Sequence, residues 1–346
     1  MQAVLLAGGL GTRLRPLTKR RPKLALPMLN QPLITYELRQ LATYGITHVT
    51  LTTSYMHESL AAAVDRHWPF ARLVEIVVED TPLGTAGAIK NVEDRLGPVF
   101  IAANADYVRD IDWAALLQVH QESRAALTLT LYEVDDPRQY GLVLTHENGL
   151  VRQFLEKTED PPPGERAINA GAYAMNREVL ARVPPGTMYS NEYDLFPQLL
   201  AEGVRVQSYL HRGYWLDVGR VEQYLQAHYD LLDGTARGLR PAEARVIEES
   251  QGPLAAPVCC GDGCEIAPDA QVGPYACLGE RCAVGAGAEV SRSVLWDDVV
   301  VGEGAVVRSS VVCSGVAIPP HSEVIGQVIP EPALAKGDTG SDGAEA

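Results

Sequence analysis

The apolar run 3–6 empties into Gly8-Gly9-Leu10-Gly11-Thr12-Arg13-Leu14-Arg15-Pro16-Leu17-Thr18, with Pro22-Lys23 close behind. Glycines at a strand end let backbone N–H groups come close to a phosphate, and Arg13 and Lys23 supply the positive charge that a polyphosphate requires. The same turn is also an ordinary way to join a strand tightly to a helix, so taken alone it is weak ground for a phosphate loop. Its spacing is not G-x-G-x-x-G, and no G-x-x-x-x-G-K-[ST] occurs in the chain, which counts against dinucleotide-binding and Walker-type sites.

The elements that must position this loop come from a regular alternation. Up to about Leu232, short apolar runs alternate with amphipathic stretches, the pattern of strands crossing over through helices into a mostly parallel sheet. Strands are expected at 3–6, 48–52, 73–79, 99–103, 126–133, 168–174 and 204–209, and helices at 33–44, 57–67, 86–96, 113–122, 193–201 and 221–232. In such sheets ligands gather at the carboxyl ends of strands, which points to the loops after Ala7, Glu79, Ala103 and Ala174.

Beyond Cys259 the helical period is gone. An aliphatic residue recurs every sixth position at Ile266, Val272, Leu278, Val284 and Val290, then after some five-residue steps at Leu295, Val301, Val307, Val312, Ile318 and Val324. A small or β-branched residue follows four places after each, from Ala270 to Val328. This is a solenoid repeat, and it resembles the left-handed parallel β-helix of hexapeptide-repeat proteins. So few ligand-type residues lie in it that a structural or oligomer-forming role is expected. The domain reading is therefore 1–233 for the α/β domain, 234–258 for a linker rich in charge, Gly and Pro, 259–330 for the β-helix and 331–346 for a disordered tail.

With 346 residues, 46% of them hydrophobic, two cores are expected. The net charge of −15 argues against nucleic acid or an anionic membrane as partner, so a phosphorylated substrate needs a local basic pocket. The N-terminus runs straight into a strand, with no signal-peptide pattern, and a cytoplasmic protein is expected. All six cysteines fall between Cys259 and Cys313 without a C-x-x-C pair and read as packed free thiols.

Gly8 to Lys23, continuing through Leu26-Pro27 and Asn30-Gln31-Pro32-Leu33, resembles the signature of the sugar-1-phosphate nucleotidylyltransferases. The likeness continues in order with Pro82-Leu83-Gly84-Thr85-Ala86-Gly87, Asn104-Ala105-Asp106, Phe154-Leu155-Glu156-Lys157, Asn169-Ala170-Gly171, Tyr193-Asp194-Leu195-Phe196-Pro197 and Tyr214-Trp215-Leu216-Asp217-Val218-Gly219. The resemblance implies a Rossmann-like nucleotidyltransferase domain followed by the β-helix, and condensation of a nucleoside triphosphate with a sugar 1-phosphate. Arg13 and Lys23 would then be catalytic, and Gly8, Gly9, Gly11, Thr12 and Gly84 would bind nucleotide. Glu156, Lys157, Asn169 and Gly171 would hold the sugar phosphate, and Asp106 and Asp217 would bind Mg2+. Two departures stand out: Ala105, where the family commonly has Gly, and Arg220, where it commonly has Thr or Gln and where extra charge would reach the metal site.

Within the family, Pro82–Gly87 with a short β-helix looks most like the mannose-1-phosphate guanylyltransferases, implying GTP and mannose 1-phosphate. The alternatives are glucose 1-phosphate with dTTP or UTP, and a non-catalytic regulatory subunit that binds nucleotide-sugar. Intact Arg13, Lys23, Asp106, Lys157 and Asp217 argue against the regulatory subunit. An acyltransferase β-helix is disfavoured, because His321 is the only histidine after His228. A homo-oligomer built through the β-helix is expected.

Overall fold

The computed structural model describes residues 1–46, 48–69 and 73–333. The chain forms two compact units, Met1–Leu26 with Gln31–Gln223, and Pro27–Asn30 with the chain from Tyr224 onward. The tail expected at 331–346 lies, but for 331–333, outside the described residues.

In the first unit four strands run parallel in the order Val74–Val78, His48–Thr53, Gln2–Leu6, Val99–Asn104. Ala3, Val4, Leu5, Ile101, Ala102 and Ala103 are fully buried, as expected of strands covered on both faces by crossover helices. Because all four point the same way, their carboxyl ends, at Leu6, Thr53, Val78 and Asn104, share one edge. Beyond Val99–Asn104 the sheet continues with an antiparallel part absent from the sequence reading. The ten-residue strand Ala167–Asn176 pairs antiparallel with Val99–Asn104 and Leu127–Glu133, and through Gly141–Thr145 it reaches Val151–Glu156. The inner core here joins Val4, Phe100 and Tyr173 to Phe196, whose ring meets those of Tyr173 and Phe154 edge-on.

The helices follow the expected pattern except near prolines and glycines. Trp113–Ser123 begins where the Asp112 carboxylate accepts from Ala115 N at 2.9 Å. The stretch read as one helix at 193–201 is a π turn, Asn191–Leu195, running into Phe196–Ala201. Ser190 Oγ caps it, and Pro197 sits in the first helical turn, where its missing N–H costs nothing.

The second unit is a stack of short parallel strands on three faces. Ile266, Val284, Val301 and Ile318 stand in register on one face, Val272, Val290, Val307 and Val324 on the next, and Leu278, Leu295 and Val312 on the third. The small residues from Ala270 to Val316 in the repeat are buried with them, while Ile266, Ser322 and Val328 in the end coils are only half-buried. Residues 234–258, read as a linker, are more ordered than that. Val246–Ile247 pairs antiparallel with Val258–Cys260 and covers an edge that would otherwise be open. All six cysteines are free thiols, four of them buried. No helix among the described residues is long and apolar enough to cross a membrane.

His228 is fully buried in the helix Val221–Asp233. Its Nδ1 lies 2.9 Å from Tyr224 O, and its Nε2 has no partner among the described residues. Burial lowers its pKa from 6.5 to about 4. The unfolded chain therefore takes up a proton that the folded protein refuses, and stability is expected to fall by about 3 kcal/mol as pH drops through this window. Denaturant melts from pH 7 to 4 should show that slope, and His228→Phe should flatten it.

Candidate functional site

Two clefts open along the carboxyl edge of the parallel sheet in the first unit. One, of about 310 Å³, is lined by Gly8, Gly9, Lys23, Ser54, Glu79, Pro82, Gly84, Thr85, Asn104 and Asp106, among others. The other, of about 690 Å³, is lined by Arg13, Asn104, Tyr107, Tyr140, Glu156, Lys157, Asn169, Glu192, Asp217 and Arg220, among others. Asn104, at the end of its strand, borders both.

Asp106 and Asp217 are far apart in sequence and are joined by a two-stranded ribbon. Tyr107–Arg109 pairs antiparallel with Trp215–Asp217, setting Asp217 opposite Tyr107. Lys23 Nζ lies 2.7 Å from Asp106 Oδ2 and 3.8 Å from Asp217 Oδ1. Desolvation is the largest influence on both carboxyls and raises them. At Asp106 the charge and hydrogen bond of Lys23 override it and leave the pKa below its usual value. At Asp217 they do not, and with the repulsion of Asp106 added the pKa stays raised. The pair thus already brackets one cation, the lysine ammonium, which is the test a small oxygen-seeking ion would have to pass. Among the described residues no cluster of three or more His, Cys, Asp or Glu side chains is placed for a metal. Two carboxylates suit magnesium, which keeps waters and takes substrate phosphates.

The ribbon is held by Arg109, whose side chain is fully buried. Nε and Nη2 donate to the two oxygens of Glu37, Nη1 to the carbonyls of Ala170 and Gly171, and Nη2 also to that of Asn104. Trp215 stacks on Tyr132, packs near Tyr107 and Tyr140, and donates from Nε1 to Ala170 O.

Gly84 has φ +71, and a Cβ there would stand 2.7 Å from Tyr189 O, so only glycine lets the helix Gly84–Asn91 start against that backbone. Thr85 Oγ1 donates to Glu192 and accepts from Asn191 N, and Ser190 Oγ donates to the same Glu192 oxygen. A residue of the first cleft is thereby tied to one of the second. In the second cleft burial raises the pKa of Glu156, with Lys157 opposing and Glu192 reinforcing. Lys157 Nζ lies 3.7 Å from Glu156 Oε1.

The structure brings the predicted residues together unevenly. Gly8, Gly9, Lys23, Gly84 and Asp106 line the first cleft, and Arg13, Glu156, Lys157, Asn169 and Asp217 the second. Gly11, Thr12 and Gly171 border neither. Gly11, at φ +59, accepts from Thr18 Oγ1 and shapes the turn, while Gly171 backs onto Tyr107 and Asn104. The Asn169 amide is already engaged, donating to Tyr173 Oη and accepting from Gly171 N. Ala105 is fully buried and absent from the positive-φ residues, so its extra methyl costs no backbone strain. Arg220 is exposed and makes no ion pair with Asp217. Sequence reasoning missed Glu79, Arg109, Tyr140 and Glu192. Only Glu79, at the end of an apolar strand whose loop was already marked, left a usable signal.

These clefts offer placed charge and backbone donors around a polyphosphate, the requirement for moving a nucleotidyl group between two phosphates. The fold is that of a nucleotidyltransferase. The chain belongs to the nucleotidyl transferase family, whose model matches residues 2–234, and the GMPPB C-terminal domain model matches residues 254–331. It is 37% identical to the mannose-1-phosphate guanylyltransferase of Mycobacterium tuberculosis over 89% of this chain and 83% of that protein. It is 30% identical to the probable mannose-1-phosphate guanylyltransferase 3 of Oryza sativa over 95% and 98%. Among solved structures, HddC from Yersinia pseudotuberculosis complexed with GMP-PN matches with TM-score 0.57 and 27% identity, covering 65% of this chain and 97% of that one.

Removing Glu37 leaves the Arg109 guanidinium buried without its counter-charge. Glu37→Ala is expected to cost about 3–5 kcal/mol of stability, read as a shift in the urea midpoint.

Proposed function

We propose that this sugar-1-phosphate nucleotidylyltransferase joins GTP to mannose 1-phosphate, giving GDP-mannose and pyrophosphate. The observation that carries the guanine is Glu79. This nearly buried carboxylate lines the first cleft, where Oε2 accepts from Leu83 N at 3.0 Å. Guanine alone among the common bases presents two adjacent donors, N1–H and the exocyclic amine, to a carboxylate. Uracil and thymine offer one donor flanked by two carbonyls, which a carboxylate repels. Mannose rests on the names of the relatives, and the GMP-PN held by the solved relative is in keeping with a guanine nucleotide.

In the reaction a phosphate oxygen of mannose 1-phosphate forms a bond to the α-phosphorus. The bond from that phosphorus to the bridging oxygen breaks, and pyrophosphate leaves with the electron pair. The substrate brings its own nucleophile, so the chain's residues orient and neutralise. Gly8, Gly9 and Gly84 admit the nucleotide to the backbone. Lys23 grips oxygens near the α-phosphorus, Arg13 takes charge developing on the pyrophosphate, and Lys157 with Glu156 holds the sugar phosphate and its hydroxyls. Asp106 and Asp217 would hold Mg2+, whose Lewis acidity neutralises phosphate charge when it is bound.

We further propose 1–233 as the catalytic domain, 234–258 as the connection and 259–330 as a β-helix through which copies assemble in the cytoplasm. The extents of the two family matches support the first division. The regular stack of coils supports the assembly role.

Pyrophosphate release with magnesium should be measured for GTP, dTTP, UTP, ATP and CTP, each against mannose 1-phosphate and glucose 1-phosphate. Turnover is expected for GTP with mannose 1-phosphate and should vanish in Asp106→Ala. Silence across the panel with GDP-mannose still bound would instead favour a regulatory subunit. Glu79→Gln should lower kcat/KM for GTP by about ten- to a hundredfold while leaving the poorer nucleotides nearly unchanged.

A further inference from the structure

Arg220 follows Gly219 at the rim of the second cleft, and its side chain lines that cleft together with Arg13, Lys157 and Tyr140. Most exposed arginines are solvated charges, and many in this protein are paired, such as Arg138 with Asp136 and Arg281 with Asp298. Arg220 and Arg13 are not paired in this way. Among the described residues neither guanidinium has a hydrogen bond or ion pair, although carboxylates are close by.

Their convergence is visible at Tyr140. Burial raises the pKa of its hydroxyl, the Asp217 charge adds to that, and Arg13 and Arg220 both oppose it, so both guanidinium fields reach one oxygen. Lys157 N donates to Tyr140 O at 3.1 Å, which brings the root of a third cation to the same residue. Arg13 is held close on the other side, because a Cβ on Gly219 would lie 3.1 Å from Arg13 Nη2 and from Asp217 Oδ2 alike. Two guanidinium groups from separate parts of the chain therefore face one phenol, with Lys157 in the same cleft. In a chain of net charge −15, two guanidinium groups that no carboxylate engages among the described residues are positive charge available to an incoming anion.

Resting on the proposed reaction, we infer that Arg220 is a substrate-binding residue. With the Tyr140 hydroxyl it holds the phosphate monoester of the sugar 1-phosphate in attacking position, beside the Arg13 that serves the leaving pyrophosphate. A planar guanidinium can take two phosphate oxygens at once, and that fixes which oxygen faces the α-phosphorus. The cleft that Arg220 lines also holds Glu156, Lys157 and Asn169, whereas Gly8, Glu79 and Gly84 line the other, so the monoester rather than the triphosphate is its ligand.

The test uses the full chain and measures both reaction directions in Arg220→Gln and Arg220→Lys, together with equilibrium binding of mannose 1-phosphate and glucose 1-phosphate. Arg220 is exposed and has no hydrogen bond or ion pair among the described residues, so both variants should melt as the parent does. In Arg220→Gln the KM and Kd for the sugar 1-phosphate should rise about ten- to a hundredfold, with KM for GTP and for pyrophosphate within about twofold of the parent. Lysine should recover part of the loss. Unchanged sugar-phosphate affinity, or an equal rise in KM for pyrophosphate or GTP, would overturn the assignment. If the parent turns over neither sugar phosphate, the proposed reaction fails by itself. The binding constants then decide separately on Arg220, with equal affinity of parent and Arg220→Gln counting against it.

Discussion

One buried charge pair sets the geometry of the catalytic unit. All five N–H donors of Arg109 are used, two on Glu37 and three on backbone carbonyls of Asn104, Ala170 and Gly171. Those carbonyls belong to the strand that delivers Asp106 and to the strand that delivers Asn169. Glu37 belongs to the helix Ile34–Thr43, so three elements meet on one planar group. A hydrophobic residue would fill the space, but it would not satisfy those carbonyls or fix their directions. The pair defines where backbone goes more than how tightly it packs.

The resulting site separates charge by cleft. Lys23 sits between two aspartates and offsets part of their charge from within. Among the described residues Arg13 and Arg220 have no ion pair. In an acidic protein these two guanidinium groups leave the second cleft with positive charge not spent on a partner. The Thr85–Glu192 hydrogen bond ties a residue lining one cleft to a residue lining the other.

Much of this was readable before any coordinates. The glycine loop announced itself because tight turns and phosphate approach both demand glycine, and the parallel strands because burial on both faces writes continuous apolar runs. The β-helix was plainest of all, since each coil repeats the same two inward slots. The antiparallel extension was hidden, because Gly141–Thr145 and Val151–Glu156 look like ordinary half-polar segments and their pairing is decided by distant partners. Arg109 and Glu37 were invisible for a related reason: charged residues read as surface, and nothing local says that two of them 72 positions apart will meet in the core. The cysteines were legible as packing, since a thiol fits a slot otherwise held by alanine or valine.

The register of the β-helix has a consequence for how such a chain changes over generations. Coils are 18 residues apart where Val272 meets Val290 and 17 apart where Val290 meets Val307, and every inward residue lies directly over its predecessor. Losing or gaining one residue inside a coil would swing all later aliphatic side chains out of the interior, whereas adding or removing a whole coil leaves each remaining neighbour unchanged. Length in this part of the molecule is therefore quantised. Lineages can lengthen or shorten it only by whole coils, apart from the corners, where the step from 18 to 17 shows that a single residue is negotiable.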